Sequence, residues 1–145
     1  MTTWLPGAAY PEALIATPGG VRIEHGIPER PLLHVCCNQD HFGTVNVDAD
    51  PSVNPDVVAD VLEGLPFEND SFEACFADLP WVKNWMQNTS RALKEMLRIA
   101  PVVYLMCPWM VGGKYCRPES IHVCWKPGIH YPILFVKYVR TEAFE

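Results

Sequence analysis

In FEACFADLPW, residues 72–81, an apolar run ends in an acid that is followed by Leu79, Pro80 and Trp81. The same arrangement recurs upstream. GTVNVDAD (43–50) ends in Asp48 and Asp50, and the run centred on Val57 to Val61 carries Asp60 around its end. An ionised carboxylate is purely a hydrogen-bond acceptor, so such acids can hold hydroxyl, amine or backbone N–H groups. One acid after a buried strand is ordinary. Acids after three successive strands point to a common rim, because open α/β sheets bind ligands beyond the carboxyl ends of their strands.

The elements that must carry this rim follow from periodicity. PLLHVCC (31–37) reads as a buried strand, GTVNVDAD as a second, the run within 56–67 as a third and SFEACFADLPW (71–81) as a fourth. Their apolarity is nearly continuous, as in a sheet covered on both faces. NTSRALKEMLRIA (88–100) has helical spacing at Leu93, Met96, Leu97 and Ala100. Asn88, Thr89 or Ser90 is available as its cap and Pro101 stops it. PVVYLMCPW (101–109) is a fifth strand, Gly112-Gly113 a loop, and the end reads as two strands around a Lys126-Pro127-Gly128 turn. The expected fold is α/β: a minimal Rossmann-like, mostly parallel sheet with an antiparallel terminal strand. Residues 1–30, rich in Pro and Gly, are expected to form an arm or small hairpin anchored by Trp4 and Tyr10. Residues 31–145 form the α/β domain.

Length and composition set limits on function. A chain of 145 residues builds one core. No apolar run approaches the roughly 20 residues of a membrane span, and the N-terminus lacks the basic start and apolar centre of a signal peptide. The expected compartment is cytoplasmic, with the six cysteines as free thiols. Cys107, Cys116, His122 and Cys124 form the most suggestive zinc set, but no Cys-x-x-Cys pair supports it, and no metal is expected. His34, His41 and His130 are read as ordinary core or surface residues. The net charge of −6 hides an asymmetry: residues 1–78 balance at −11 and residues 79–145 at +5. Any contact with DNA or RNA would therefore use the basic C-terminal half, where Lys114, Arg117 and Lys126 lie near loops.

The motifs in order resemble the class I S-adenosylmethionine-dependent methyltransferases over roughly residues 31–110. LHVCCN (33–38) is similar to the family's first strand and glycine loop. GTVNVDAD is similar to the second strand with its ribose-binding acid. PDVVADVLEGLPFENDSFEACFADLPW (55–81) is similar to the stretch leading into the fourth strand. DLPW resembles the Asp-Pro-Pro-Tyr/Trp motif of amino-group methyltransferases acting on bases. The resemblance implies S-adenosylmethionine as cofactor, held by the Cys36, Cys37 and Asn38 loop, by Asp48 or Asp50 at the ribose hydroxyls, and by Asp60 and Val61 near the adenine. It implies a substrate face of Asp78, Leu79, Pro80 and Trp81, in which the acid and a backbone carbonyl accept from an amine and Trp81 stacks on the base.

Two positions depart from the family pattern. CCNQDHFG (36–43) offers only Asn38 and Gly43 where glycines are usual, although Asn tolerates positive φ. It also leaves too few residues for a normal crossover, so the first crossover helix is expected to be reduced or absent. Leu79 stands where the motif has proline. Those departures also suit a methyltransferase-like module without catalysis, for binding or assembly. The acidic first half suits a small-molecule methyltransferase or another S-adenosylmethionine-handling enzyme. A chain this short is further expected to act as a homo-oligomer or within a larger complex.

Overall fold

The computed structural model describes residues 2–3, 31–80, 83–125 and 133–144. Their strands are β1 (Thr2–Thr3), β2 (Leu32–Val35), β3 (Val45–Asp48), β4 (Val57–Val58), β5 (Ala74–Asp78), β6 (Val102–Cys107), β7 (Cys116–Trp125) and β8 (Ile133–Arg140). They form one sheet in the order β1-β7-β8-β6-β5-β2-β3-β4. Strands β2 to β6 pair in parallel, and β1 is parallel to β7. The last strand, β8, enters between β6 and β7 and runs antiparallel to both. The expected fold class is therefore observed, with the last strand of the chain antiparallel as expected and seated inside the sheet.

The one α-helix among the described residues is α1 (Trp85–Ile99), between β5 and β6. It starts a turn before the Asn88–Ser90 cap expected from sequence. Asn84 occupies the cap in the left-handed region, with no side-chain cap bond. Thr89, Ala92, Leu93, Met96 and Leu97 make the buried stripe, the i, i+3, i+4, i+7, i+8 pattern of an amphipathic helix. That stripe packs on Leu33, Val35, Val47, Cys75, Ala77, Val103 and Leu105. Ala100 turns extended before Pro101, as sterics before proline require.

The parallel neighbours β2 and β3 are joined by residues 36–44 without a helix. A parallel crossover usually takes a dozen or more residues. Here Cys36, Asn38 and His41 all adopt positive φ (55°, 48° and 46°), which bends the chain sharply back. It returns directly onto β2: the Thr44 N–H donates to the Leu32 carbonyl at 2.7 Å, and the Phe42 N–H donates to His34 Nδ1 at 3.0 Å. Gly43 lies so close that a Cβ there would be 2.4 Å from the Val45 oxygen and 2.8 Å from the His34 nitrogen. The β3–β4 connection is equally brief, built on a 3-10 turn at Pro51–Val53 whose cap is Asp50. The long β4–β5 loop is tied down by α1. Arg98 holds Glu95 at 2.8 Å, the Phe67 carbonyl at 2.8 Å and the Leu65 carbonyl at 3.2 Å, and Glu95 accepts from the Leu65 N–H at 2.6 Å.

The opposite face of the sheet carries an aromatic row. His34, Phe76 and Tyr104 are in register across β2, β5 and β6, and Phe135 lies 6.3 Å from Phe76 and 6.0 Å from Tyr104. Apart from Thr2–Thr3, the expected arm of residues 1–30, with Trp4 and Tyr10, lies outside the described residues, as do Trp81, the Lys126-Pro127-Gly128 turn and His130. No helix among the described residues is long and apolar enough to cross a membrane.

Candidate active site

At the carboxyl ends of β2, β3, β4 and β5 a cavity of about 660 Å³ opens, within the range of small-molecule and cofactor sites. Cys36, Asn38, Asp48, Asp50, Asp60, Val61, Asp78, Leu79 and Pro80 all line it. The sheet thus brings together residues spread over more than forty positions of sequence. Cys37 is not among the lining residues. It is fully buried, and its N–H donates to the Val47 carbonyl at 3.0 Å, so it pins the loop to β3 instead of facing the cavity. Trp81 lies outside the described residues.

The rim acids are oriented by the backbone of their own loops. Asp48 ends β3, and its two carboxylate oxygens accept from the Asn38 N–H at 2.9 Å and the Asp50 N–H at 3.0 Å. Each oxygen retains a lone pair for a further donor. Asp50 accepts from the Ser52 N–H at 2.9 Å, and the Ser52 side chain and backbone hold its carboxyl below the usual range. Asp60 lies just beyond β4 and accepts from the Leu62 N–H at 2.9 Å, forming a turn that points Val61 inward. Asp78 is the last residue of β5, in register with Met106.

Cys36 sits at the meeting point of these acids. Burial pushes its thiol up to about 12, and Asp48, Asp60 and Asp78 each push in the same direction. Burial also raises Cys107 to about 12, with Asp78 adding to it. The three carboxylates therefore bear on one small volume. The described lining residues include four aspartates and no Lys or Arg, so the cavity favours hydrogen-bond donors and cations and repels phosphate.

Sequence reading missed the far wall, which is α1. Asn88, Thr89 and Ala92 line the cavity. Their part was obscured by treating Asn88 and Thr89 as caps. Extending the helical stripe back one turn would have placed Thr89 on the buried face. Trp109, just beyond β6, is 66% exposed. Lys114 and Arg117 are exposed and lie away from the cavity. Among the described residues no group of three His, Cys, Asp or Glu side chains has an arrangement for a metal ion.

No protein-family model matches the chain, and no curated protein matches it by sequence. Its fold does match solved structures. The N-methyltransferase NodS from Bradyrhizobium japonicum WM9 superposes with a TM-score of 0.57 at 13% identity, over 77% of this chain and 85% of that one. Magnesium protoporphyrin IX methyltransferase (ChlM) from Synechocystis PCC 6803, solved with bound S-adenosylmethionine, gives 0.56 at 7% identity, over 82% and 74%. A putative methyltransferase from Haloferax volcanii, in complex with the activator Trm112, gives 0.56 at 9% identity, over 79% and 83%. At these identities the likeness is one of fold.

Proposed function

We propose that this chain, which has the class I S-adenosylmethionine-dependent methyltransferase fold, transfers a methyl group from S-adenosylmethionine to an amino group, that of a nucleic-acid base. The observation that carries this reading is the convergence of Asp48, Asp60 and Asp78 on the Cys36 loop in one cavity at the strand ends. The donor set fits the cofactor. Asp48 would accept from the two ribose hydroxyls with the lone pairs its backbone bonds leave over. Asp60 would accept from the adenine amine beside Val61. Cys36 and Asn38 supply the left-handed bends that glycines usually supply. The cofactor, when bound, supplies an electrophilic methyl carbon on a sulfonium.

An aromatic amine is a weak nucleophile because its lone pair is delocalised into the ring. Asp78 accepts one amine N–H and the Leu79 carbonyl the other, so the nitrogen rehybridises with its lone pair aimed into the cavity. The nitrogen would take the methyl carbon as the methyl–sulfur bond breaks, with that bond's electron pair staying on sulfur as a neutral thioether, and the proton it sheds would pass to the Asp78 carboxylate. Leu79, in place of a proline, keeps the carbonyl but gives up the fixed φ.

Calorimetry with S-adenosylmethionine and its demethylated product is the deciding measurement. Absence of binding at millimolar concentration sinks the proposal. With binding established, transfer to oligonucleotides and nucleosides should fall by about 10²–10⁴-fold in Asp78→Ala, with cofactor affinity retained. A second reading, a binding module without catalysis, is favoured by one observation: the Cys36 side chain lines the cavity where glycine would leave room. Cofactor binding with no transfer to any amine would select it.

A further inference from the structure

Beside the acidic cavity lies a second one of about 460 Å³, and Val61 and Leu62 line both. Its wall is the C-terminal part of α1, where Arg91, Lys94 and Arg98 follow at i, i+3 and i+7, on one helical face. Arg98 is committed to Glu95 and the β4–β5 loop. Arg91 is exposed and gives one N–H to the Leu62 carbonyl at 3.2 Å, which leaves the rest of its five donors. Lys94 is exposed, with its Nζ 5.8 Å from the centre of the Tyr115 ring. Phe144 adds an aromatic wall. Glu95 is neutralised by Arg98, so Glu63 is the remaining acid of this groove.

The two cavities differ in chemistry. The first has four aspartates and no cation among its described lining residues; the second offers Arg91 and Lys94. A nucleotide unit has the matching halves, an uncharged base bearing N–H donors and an anionic phosphate. Phosphate is repelled from the first cavity, and Arg91 and Lys94 line the groove that shares Val61 and Leu62 with it. We propose that the groove along α1 is the track of a single-stranded nucleic acid, with phosphates on Arg91 and Lys94 while the target base enters the acidic cavity. This rests on the methyltransferase reading of that cavity. A single strand is favoured because a base reaches such a cavity only outside a stack, and because cations interleaved with aromatic rings suit single strands.

Anisotropy of a labelled single-stranded oligonucleotide, titrated over a series of salt concentrations, tests the track. The variants are Arg91→Gln/Lys94→Gln, with Lys137→Gln as control, a cation of β8 beside Tyr104 on the face of the sheet opposite α1. The double variant should bind about tenfold more weakly. Its slope of log affinity against log salt should be shallower by about 1.4, at about 0.7 for each phosphate that is no longer neutralised. The control should match wild type, and calorimetric cofactor affinity should be unchanged. An unaltered slope overturns the track, as does equal competition by polyglutamate of matched charge, which would mark an acidic-protein surface. If losing the Arg91 bond to Leu62 disturbs cofactor affinity, Lys94→Gln alone decides: a slope shallower by about 0.7 supports the track, and no change overturns it. Oligonucleotide binding with the expected slopes but no cofactor binding would sink the methyltransferase reading and spare this surface. Cofactor binding without a salt-dependent oligonucleotide complex would do the reverse.

Discussion

Asp48 has two tasks that one substitution separates. Its carboxylate fixes the Asn38 bend and the Asp50 turn through backbone N–H groups, and it faces the cavity. In Asp48→Asn one oxygen becomes an NH₂ donor, so one backbone N–H loses its acceptor and the ribose contact is halved. Losing a hydrogen bond to a charged group costs about 1.5–3 kcal/mol. Cofactor affinity measured by calorimetry should therefore drop roughly tenfold to a hundredfold, and wild-type affinity would remove Asp48 from the site. That Asp48, Asp50, Asp60 and Asp78 belong to a rim was legible in sequence, since each follows an apolar run. The inward placing of Asn88 and Thr89 was not legible, because their identities suit a helix cap equally well. Only the position of the helix start distinguishes the two.

At the scale of elements, the helix-free crossover is the least ordinary part of the molecule. Residues 36–44 succeed because three residues accept positive φ and because Gly43 lets the chain lie against β2 and β3. Gly43→Ala would drive a Cβ into backbone oxygen and nitrogen, neither of which can yield like a flexible side chain. A destabilisation of about 3 kcal/mol is expected, at the upper end for overpacking, read as a lowered urea midpoint. An unchanged midpoint would show that the crossover takes another path. The shortness of this connection was readable from the spacing of Asn38 and Thr44, as that of the β3–β4 connection was from the closeness of the second and third apolar runs. The Arg98 hub was also hidden: its partners at Leu65, Phe67 and Asn69 lie about thirty residues away, and backbone carbonyls leave no mark on sequence.

The whole molecule depends on its last strand. β8 supplies both neighbours' hydrogen bonds at once, to β6 and to β7, and buries Ile133, Phe135, Val136 and Tyr138. Removing residues 133–145 should abolish cooperative urea unfolding altogether; a retained sharp transition would contradict this. The buried thiols and phenols also set a common alkaline limit. Burial raises Cys36, Cys107 and Tyr104 to about 12 and Cys37 to about 11. The folded state thus holds these protons more tightly than the unfolded chain, where the thiols titrate near 9.0. Their contribution is complete below about pH 9 and is lost as the pH rises toward 12. The melting temperature should therefore fall across that window, and Cys36→Ala should fall less steeply than wild type. An equal fall in both would show that Cys36 is not buried as a neutral thiol. By itself the sequence determined the α/β class, the strand-ending acids and the shortened first crossover, because periodicity, turn residues and chain length are local properties. Only the tertiary structure decided that β8 lies inside the sheet, that α1 closes the cavity and that Cys37 turns away from it. It also placed Arg91, Lys94 and Arg98 along α1, in a groove that shares Val61 and Leu62 with the acidic cavity. Those are relations between residues far apart in the chain, fixed by strand pairing and by which faces must be buried together.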